Sequence, residues 1–262
     1  MQKFLQFIKQ AKFPKKKNFI LGFQSLSKKQ FWLSAFFTLV AFISVLVMLS
    51  KINDRFLVSV PADGGSFSEG ILGTPTLVNP VLAISDADED LTSLVYSGLM
   101  RKMPDGTLET DLAETYEISN LDTKYTFTLK KDLEFHNGNP ITADDIIFTI
   151  NAIKDPIIKS PRRVQWDGID VVKKDDYTIE FNLNQASASF LENTTVGILP
   201  MSLWKNVGPS EFNSQLLNTK AIGSGPYIVK KVIRDEEGIP KIYTLKRFKN
   251  FSLGTPKIKK KK

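Results

Sequence analysis

Two neighbouring segments, KYTFTLK (residues 124–130) and FHNGNPITADD (residues 135–145), decide the fold. In the first, large apolar side chains alternate with polar ones, which predicts a strand with one buried face. In the second, Thr142 can cap a helix whose first turn carries Asp144 and Asp145, where acids favour the helix dipole. Isoleucines at helical spacing follow. A strand, a turn and a helix therefore succeed one another here.

Further helices and strands are predicted on both sides of these two segments. Residues 88–100 have leucines at helical spacing, which predicts a helix. Residues 171–183 predict a hairpin, and residues 242–245 predict a further strand. Helices among antiparallel strands are typical of a mixed α/β (α+β) domain.

A long apolar run precedes this domain. FWLSAFFTLVAFISVLVML, residues 31–49, contains 19 residues without charge, proline or glycine. As a helix it would be about 28 Å long, close to the thickness of a bilayer's hydrocarbon core. It exceeds the apolar part of a cleaved signal peptide, and no small-x-small cleavage site follows. We therefore expect an uncleaved transmembrane signal anchor at residues 31–50, with a buried core helix as the alternative.

Charge is divided unevenly along the chain. The formal net charge is +7, yet residues 1–30 carry eight lysines and no acid. The last six residues carry five more lysines, so the intervening part is acidic, which argues against a nucleic-acid partner. By the positive-inside rule, residues 1–30 form a basic cytoplasmic arm, and residues 51–262 are extracellular or periplasmic. The arm either lies against the anionic inner leaflet or acts only as a topology signal.

The residue types offer little catalytic or metal-binding chemistry. The chain has no cysteine and one histidine, which excludes thiol catalysis and histidine-rich metal sites. His136 has no visible catalytic partners, so we interpret it as a structural hydrogen-bonding residue. Ser224 does not match G-x-S-x-G, and its flanking glycines suggest an unusual backbone turn. Asp144 and Asp145, about 100° apart on a helix, are poorly placed to share one site.

An acidic cluster precedes the predicted helix of residues 88–100. The series Asp86, Asp88 and Asp90 resembles the start of a calcium loop. An EF-hand needs glycine at its sixth position and glutamate at its twelfth, where this chain has Leu91 and Ser97. We interpret the acids as charge at a helix N-terminus, with a ligand-facing loop as the alternative. We expect no catalytic residue, no metal site and no cofactor.

Several segments, in order, resemble the family 5 extracellular solute-binding proteins, the peptide and nickel receptors of ABC importers. The resemblance covers roughly residues 64–258, and the segments that carry it are GTPTLVNP (73–80), LVYSGLM (94–100), DGTLETDLAE (105–114), YTFTLKK (125–131) with FHNGNPITADD (135–145), IGSGPY (222–227) and GTPKI (254–258). Thr110 stands where the family usually has proline. Each segment is weak evidence alone, but together and in order they are specific.

The resemblance implies a periplasmic-binding-protein type II fold, of which this chain carries the first lobe after one transmembrane helix. It implies a membrane-anchored, non-enzymatic importer component that holds an oligopeptide or other small solute in an interlobe cleft and docks on ABC permease subunits. A non-transporting sensor or scaffold is the alternative, and a hydrolase using His136 is the least favoured. The residues we expect at the ligand are Ser85, Asp86, Asp88, Trp166, Gly223, Ser224, Gly225 and Tyr227.

Family members are about twice as long as the exported part of this chain. The match stops at Ile258, and Lys259 to Lys262 stand where a continuation is expected. We therefore expect the C-terminal lobe to be missing, because the chain is a gene fragment, a truncated product or one half of a split protein. The identity of the ligand stays open.

Overall fold

The computed structural model describes residues 27–56 and 63–262, with side chains described for 27–51 and 63–262. The chain divides into two compact units, residues 1–61 and 62–262. Most of the predicted basic arm, up to residue 26, lies outside the described residues.

In the first unit, helix α1 (Lys28–Phe56) contains the apolar run. Its section from Lys28 to Lys51 is long and apolar enough to cross a membrane, although a signal sequence near an N-terminus has the same properties. Two of its hydroxyl groups bond within the helix: the Ser34 hydroxyl donates to the Phe31 carbonyl at 2.9 Å, and the Thr38 hydroxyl donates to the Ser34 carbonyl at 2.7 Å. This internal bonding lets hydroxyls stand in an apolar helix.

The centre of the second unit is a four-stranded antiparallel sheet, the first sheet. Its strands are β4 (Ala113–Ser119), β5 (Lys124–Leu129), β6 (Ile169–Asp175) and β7 (Thr178–Leu183), in the order β4-β5-β7-β6. Every second side chain of β5 is buried, as the alternation predicts. Strands β6 and β7 form the hairpin that residues 171–183 predict. The predictions of strand β5 and of this hairpin are therefore confirmed.

Helix α3 (Ala143–Lys154) packs against this sheet through its isoleucine stripe, and Ile146, Ile150 and Ile153 are buried. Its start matches the prediction. The Asp145 carboxylate accepts the backbone N–H of Thr142 at 2.9 Å, which satisfies a free donor at the helix N-terminus.

The two adjacent aspartates of α3 point to different partners. Asp145 is buried and also accepts the backbone N–H of Met201 at 2.9 Å. Asp144 forms an ion pair with Lys173 at 2.8 Å. They share no site, as their spacing on the helix predicts.

A second sheet joins strands that are far apart in sequence. Its members are β1 (Gly64–Phe67), β8 (Tyr227–Arg234), β9 (Pro240–Arg247) and β10 (Ile258–Lys261), in the order β1-β10-β9-β8. Strand β1 is parallel to β10, and the other pairs are antiparallel. Strand β8 contacts helix α2 (Asp86–Val95).

Short elements connect the two sheets. They are the paired strands β2 (Met100–Lys102) and β3 (Leu108–Thr110), helices α4 (Phe190–Asn193) and α5 (Met201–Trp204), and the 3₁₀ turns Arg163–Trp166, Pro209–Ser214 and Leu216–Asn218. With the sheets they form the mixed α/β lobe that the sequence predicts.

Helix α2 differs from the prediction for residues 88–100. It begins two residues earlier and ends at Val95, and Tyr96 is already extended (φ −118°, ψ 152°). The reason is tertiary. Gly98 lies so close to residue 195 that a Cβ there would come within 2.6 Å of the Thr195 carbonyl oxygen, and Met100 enters β2. Helical spacing alone could not show these contacts.

Candidate ligand-binding site

The first group of predicted ligand residues lies at the start of helix α2. Ser85 caps the helix: its hydroxyl oxygen accepts the Asp88 backbone N–H at 3.1 Å and donates to the Asp88 carboxylate at 2.7 Å. Ser85 and Asp86 are exposed, whereas Asp88 is buried. The side chains of Ser85 and Asp86 are therefore accessible to solvent at this end of the helix.

Asp88 holds a neighbouring loop in place. One carboxylate oxygen accepts the backbone N–H groups of Thr76 and Leu77, each at 2.8 Å. Both donors lie in the GTPTLVNP segment, which thereby packs against the helix start. With the bond from Ser85, both oxygens of Asp88 are engaged. Its evident role is to position Ser85 and the loop.

The second group is the glycine turn, residues 223–227, which closes around His136. The backbone N–H of His136 donates to the Gly223 carbonyl at 2.8 Å. The ring completes the contact: Nδ1 lies 3.3 Å from the Gly223 backbone nitrogen, and Nε2 lies 2.9 Å from the Gly225 carbonyl oxygen. An amide N–H can only donate and a carbonyl can only accept, so the ring is neutral with its proton on Nε2.

The surroundings of His136 keep its ring uncharged. Burial lowers the pKa of His136 from 6.5 to about 4, against a smaller opposing effect of its bond to the Gly225 carbonyl. The ring also meets Phe248 edge-on, with centroids 4.9 Å apart. His136 is thus the structural hydrogen-bonding residue expected from the sequence, joining the 135–145 segment to the glycine turn.

The glycines flanking Ser224 serve close packing, which corrects the expectation of an unusual backbone turn. Neither Gly223 nor Gly225 has a positive φ. A Cβ on Gly223 would lie 2.2 Å from the Val95 carbonyl oxygen, and one on Gly225 would lie 2.6 Å from the Val95 carbonyl carbon. The turn needs glycine because another backbone passes directly against it.

The remaining residues of the turn are also enclosed. Ser224 is 2% exposed, and its hydroxyl has no hydrogen-bond partner within residues 63–262. Tyr227, at the first position of β8, is buried too. Residues 223–227 therefore shape the lobe from inside, without an open face in this structure.

Trp166 lies in the interior as well. It is 1% exposed and its ring packs near Phe181 and Phe190, with centroids 6.0 and 6.2 Å away. These rings belong to the core between the first sheet and its helices. The structure thus places Trp166 in the core.

The two groups of predicted ligand residues lie at opposite ends of helix α2. Ser85 to Asp88 stand at its first turn, and the glycine turn packs against Val95 and Tyr96 at its other end. The helix has ten residues, so the two groups are roughly 15 Å apart. The structure joins the glycine turn with His136 but separates both from the acidic loop.

Two concave surfaces adjoin these groups and were not anticipated. One, of about 510 Å³, runs along the free edge of β8 and is lined by His136, Asn137, Lys220 and residues 228–232. The feature of the sequence that could have indicated this surface is the strand that directly follows the glycine turn. The other, of about 390 Å³, is largely apolar and lies between α2 and β9.

Tyr243 belongs to this second pocket. Its hydroxyl donates to the Pro75 carbonyl at 3.0 Å, which ties β9 to the loop that Asp88 also holds. Burial raises the pKa of Tyr243 to about 12. A neutral, bonded hydroxyl at this place fixes the loop against the second sheet.

Comparison with known proteins identifies the family of this chain. Residues 107–260 match the bacterial extracellular solute-binding proteins, family 5 (middle region). The chain is 31% identical over 175 residues to the oligopeptide-binding protein AppA of Bacillus subtilis, covering 65% of this chain and 32% of that protein. It is 27% identical over 187 residues to a dipeptide-binding protein of Pseudomonas aeruginosa, covering 63% and 35%.

Solved structures agree with the sequence relatives. AppA from Bacillus subtilis in complex with a nonapeptide aligns with a TM-score of 0.71 at 27% identity, over 77% of this chain and 40% of that one. The ABC transporter substrate-binding protein CtaP from Listeria monocytogenes aligns at 0.67 and 31%, over 76% and 40%. NikZ from Campylobacter jejuni in complex with Ni(L-His) aligns at 0.63 and 26%, over 78% and 39%.

The chain spans about a third of the length of the curated relatives it matches. The match to the family covers more than half of the chain, and the described lobe aligns with solved solute-binding proteins. The chain belongs to the family 5 bacterial extracellular solute-binding proteins, a family that binds solutes and is not defined by catalysis.

Proposed function

We propose that this chain supplies the first lobe of the solute-binding component of an ABC importer, and that oligopeptides bind this lobe where it faces the interlobe cleft. The observation that carries the proposal is its alignment, at a TM-score of 0.71, with a receptor solved in complex with a nonapeptide. The dipeptide- and oligopeptide-binding relatives support the same ligand class. The docking partner would be the permease subunits of the importer.

Within the predicted set, exposure suggests different roles. We propose that Ser85 and Asp86 contact the ligand, since they are exposed at the positive end of a helix, and that Asp88 positions them. The buried residues Trp166, Gly223, Ser224, Gly225 and Tyr227 would bound the cleft from within the lobe. An extended peptide of about five residues covers the length of α2, so one ligand could lie along the helix.

We further propose that the chain is not an enzyme. The support is the bonding of His136, whose two ring nitrogens are both engaged by the backbone of the glycine turn. A histidine held in this way, with its pKa lowered to about 4, is poorly suited to act as a general base near neutral pH.

We also propose that helix α1 anchors the protein in the membrane at residues 31–50. The arm of residues 1–30 would be cytoplasmic, and residues 51–262 would be outside the cell membrane. The lysines before the apolar run support this orientation. An anchor would keep the binding lobe near its permease and raise its effective concentration.

The ligand proposal is tested by titrating the full chain, in detergent, with a library of short peptides in a calorimeter. Saturable binding that weakens at least about tenfold in S85A/D86A supports the proposal. The matched control is S93A/D90A, since both residues are exposed on the same helix. A chain that retains its circular dichroism and its cooperative urea transition but binds no peptide contradicts the proposal for this chain.

The orientation is tested separately with single cysteines, because the chain has none of its own. We expect a membrane-impermeant maleimide to label S66C on intact cells and to label Q10C only after lysis. The reverse pattern would contradict the orientation, and labelling of S66C in the culture medium instead of the membrane would contradict the anchor.

A further inference from the structure

The charge of the second unit is strongly asymmetric. Residues 63–226 contain 13 lysines and arginines against 24 acids, whereas residues 227–262 contain 12 against three. Those three acids, residues 235–237, all lie in the turn between β8 and β9. Most of the second sheet is built from this cationic segment, so the positive charge has a definite place in the fold.

The register of the second sheet collects lysines on one face. Lys260 of β10 stands opposite Lys246 of β9, which in turn stands opposite Ile228 of β8. Paired residues share a face, and so do residues two apart on a strand. Lys231, paired with Thr244, therefore lies on the same side. The lysine face is the set Ile228, Lys231, Ile233, Ile242, Thr244, Lys246, Ile258 and Lys260.

The opposite side of the sheet is the packed one. Tyr243 and Leu245 alternate with the lysine-face residues of β9, and both are buried. Lys231, Lys246 and Lys260 are exposed. The lysine face is therefore the outer surface of the lobe at this sheet.

Nothing within the described residues neutralises this face. The ion pairs of the second sheet use Lys241, Arg247 and Lys261. Lys231, Lys246 and Lys260 form none among the described residues, and the direct opposition of Lys246 and Lys260 is a repulsive cross-strand pair. An anionic surface laid against the face would relieve this repulsion.

The face is also partly apolar. Ile233 and Ile258 are 37% and 38% exposed, and no acid interrupts the set. Isoleucines between flexible lysine stems suit the boundary of a bilayer, where apolar groups enter the headgroup layer and ammonium groups meet phosphates. A purely acidic protein partner would use the lysines but leave the isoleucines unexplained.

Chain length favours the membrane as the partner. Seven residues, 57 to 63, join helix α1 to β1, and a chain of that length reaches at most about 25 Å. If α1 is the membrane anchor, this short linker keeps the start of β1 close to the membrane. We propose that the lysine face binds the anionic phospholipid headgroups of the membrane that carries α1; this inference rests on the proposed anchoring.

The test uses the full chain in lipid nanodiscs, with a fluorophore on T244C in the middle of the face. Discs of phosphatidylcholine are compared with discs that also contain phosphatidylglycerol, and quenching by the neutral quencher acrylamide is measured. We expect phosphatidylglycerol to lower the quenching at least about threefold and added salt to restore it. A fluorophore on T115C, exposed on β4 of the first sheet, is the matched control and should not respond.

Two charge variants of the T244C chain complete the design. K231Q/K246Q/K260Q should abolish the response to phosphatidylglycerol, whereas K131Q/K159Q/K205Q, which removes equal charge elsewhere, should retain it. An equal loss in both variants, or retention in the first, overturns the proposal.

The outcomes also separate this proposal from the anchor. A chain that does not stay with the discs overturns the anchoring and this contact together. A chain that stays with the discs but is quenched equally in both lipids overturns the lipid contact alone.

Discussion

The two ends of helix α2 are held by different kinds of contact. At its start, Asp88 and Ser85 make hydrogen bonds to the helix and to a loop. At its end, Gly223 and Gly225 let one backbone pass against another. Water can partly replace a lost hydrogen bond, but a Cβ added at a close backbone contact forces one of the two backbones to move. We therefore expect the C-terminal end to tolerate substitution less than the N-terminal end.

The largest effect is expected for G223A. The new Cβ would meet the Val95 carbonyl oxygen at 2.2 Å, so the turn must shift away from α2. We expect the free energy of unfolding to fall by about 3 kcal/mol, measured by urea denaturation. The control is G208A, where no atom lies within 4 Å of the Cβ and φ is −63°; it should change stability by less than about 1 kcal/mol. Equal losses of stability in G223A and G208A would contradict a close contact between Gly223 and the Val95 backbone.

D88A, at the N-terminal end of α2, should lower the free energy of unfolding by less than G223A does. It removes the acceptor of two backbone N–H groups and leaves Thr76 and Leu77 unpaired, which we expect to destabilise the lobe by about 2 kcal/mol. Hydrogen exchange at these two amides should accelerate. D90A, an exposed neighbour on the same helix, serves as the control. Unchanged protection of the two amides in D88A would show that the loop is held by other contacts.

Contacts between His136 and the glycine turn should make stability depend on pH. The pKa of His136 is about 4 when folded and 6.5 when exposed, so the unfolded chain binds the extra proton between these values. Stability contributed by the neutral ring is complete above pH 6.5 and is lost as pH falls towards 4, by roughly 1.5 kcal/mol after allowance for solvent screening.

This pH effect is isolated by comparison with H136Q, which keeps a donor and an acceptor but does not titrate. The buried carboxyls Asp111 and Asp145 have pKa values raised by burial, and they favour folding as pH falls. Because the unmodified chain and H136Q share these carboxyls, the difference between their urea midpoints reports the titration of His136. A difference that does not vary from pH 7 to pH 4 would contradict the assigned ring state.

The smallest effect is expected for S85A. Losing the helix cap should lower the free energy of unfolding by about 1 kcal/mol. S93A, exposed later in the same helix, is the control and should be nearly neutral. If S85A lowers the free energy of unfolding more than D88A does, the helix cap matters more than the contacts between Asp88 and the loop, which contradicts this prediction.

Much of the fold was predictable because its signals are local. Alternation over residues 124–130 and the cap at Thr142 report short-range preferences, and both elements formed as expected. Helix α2 was predicted five residues too long at its end, because the contact of Gly98 with residue 195 spans almost a hundred positions. Local pattern carries no information on such an encounter.

The candidate site was predictable only in part, for the same reason. The acids near Ser85 were correctly assigned to a helix N-terminus, but the N–H groups that occupy Asp88 lie 11 and 12 residues away. The glycines around Ser224 are visible in the sequence, but their contact with Val95 is not. Trp166 gave no sign in the sequence that its ring lies within an aromatic core.

The amino-acid sequence by itself determined the apolar helix, the mixed α/β lobe and the family, because periodicity, composition and motif order are properties of the chain. Tertiary structure decided which side chains face outward and which backbones touch. It buried Asp88 and the glycine turn, left Ser85 and Asp86 open, and gathered lysines from three strands on one face. These outcomes depend on strand register and on contacts between distant segments.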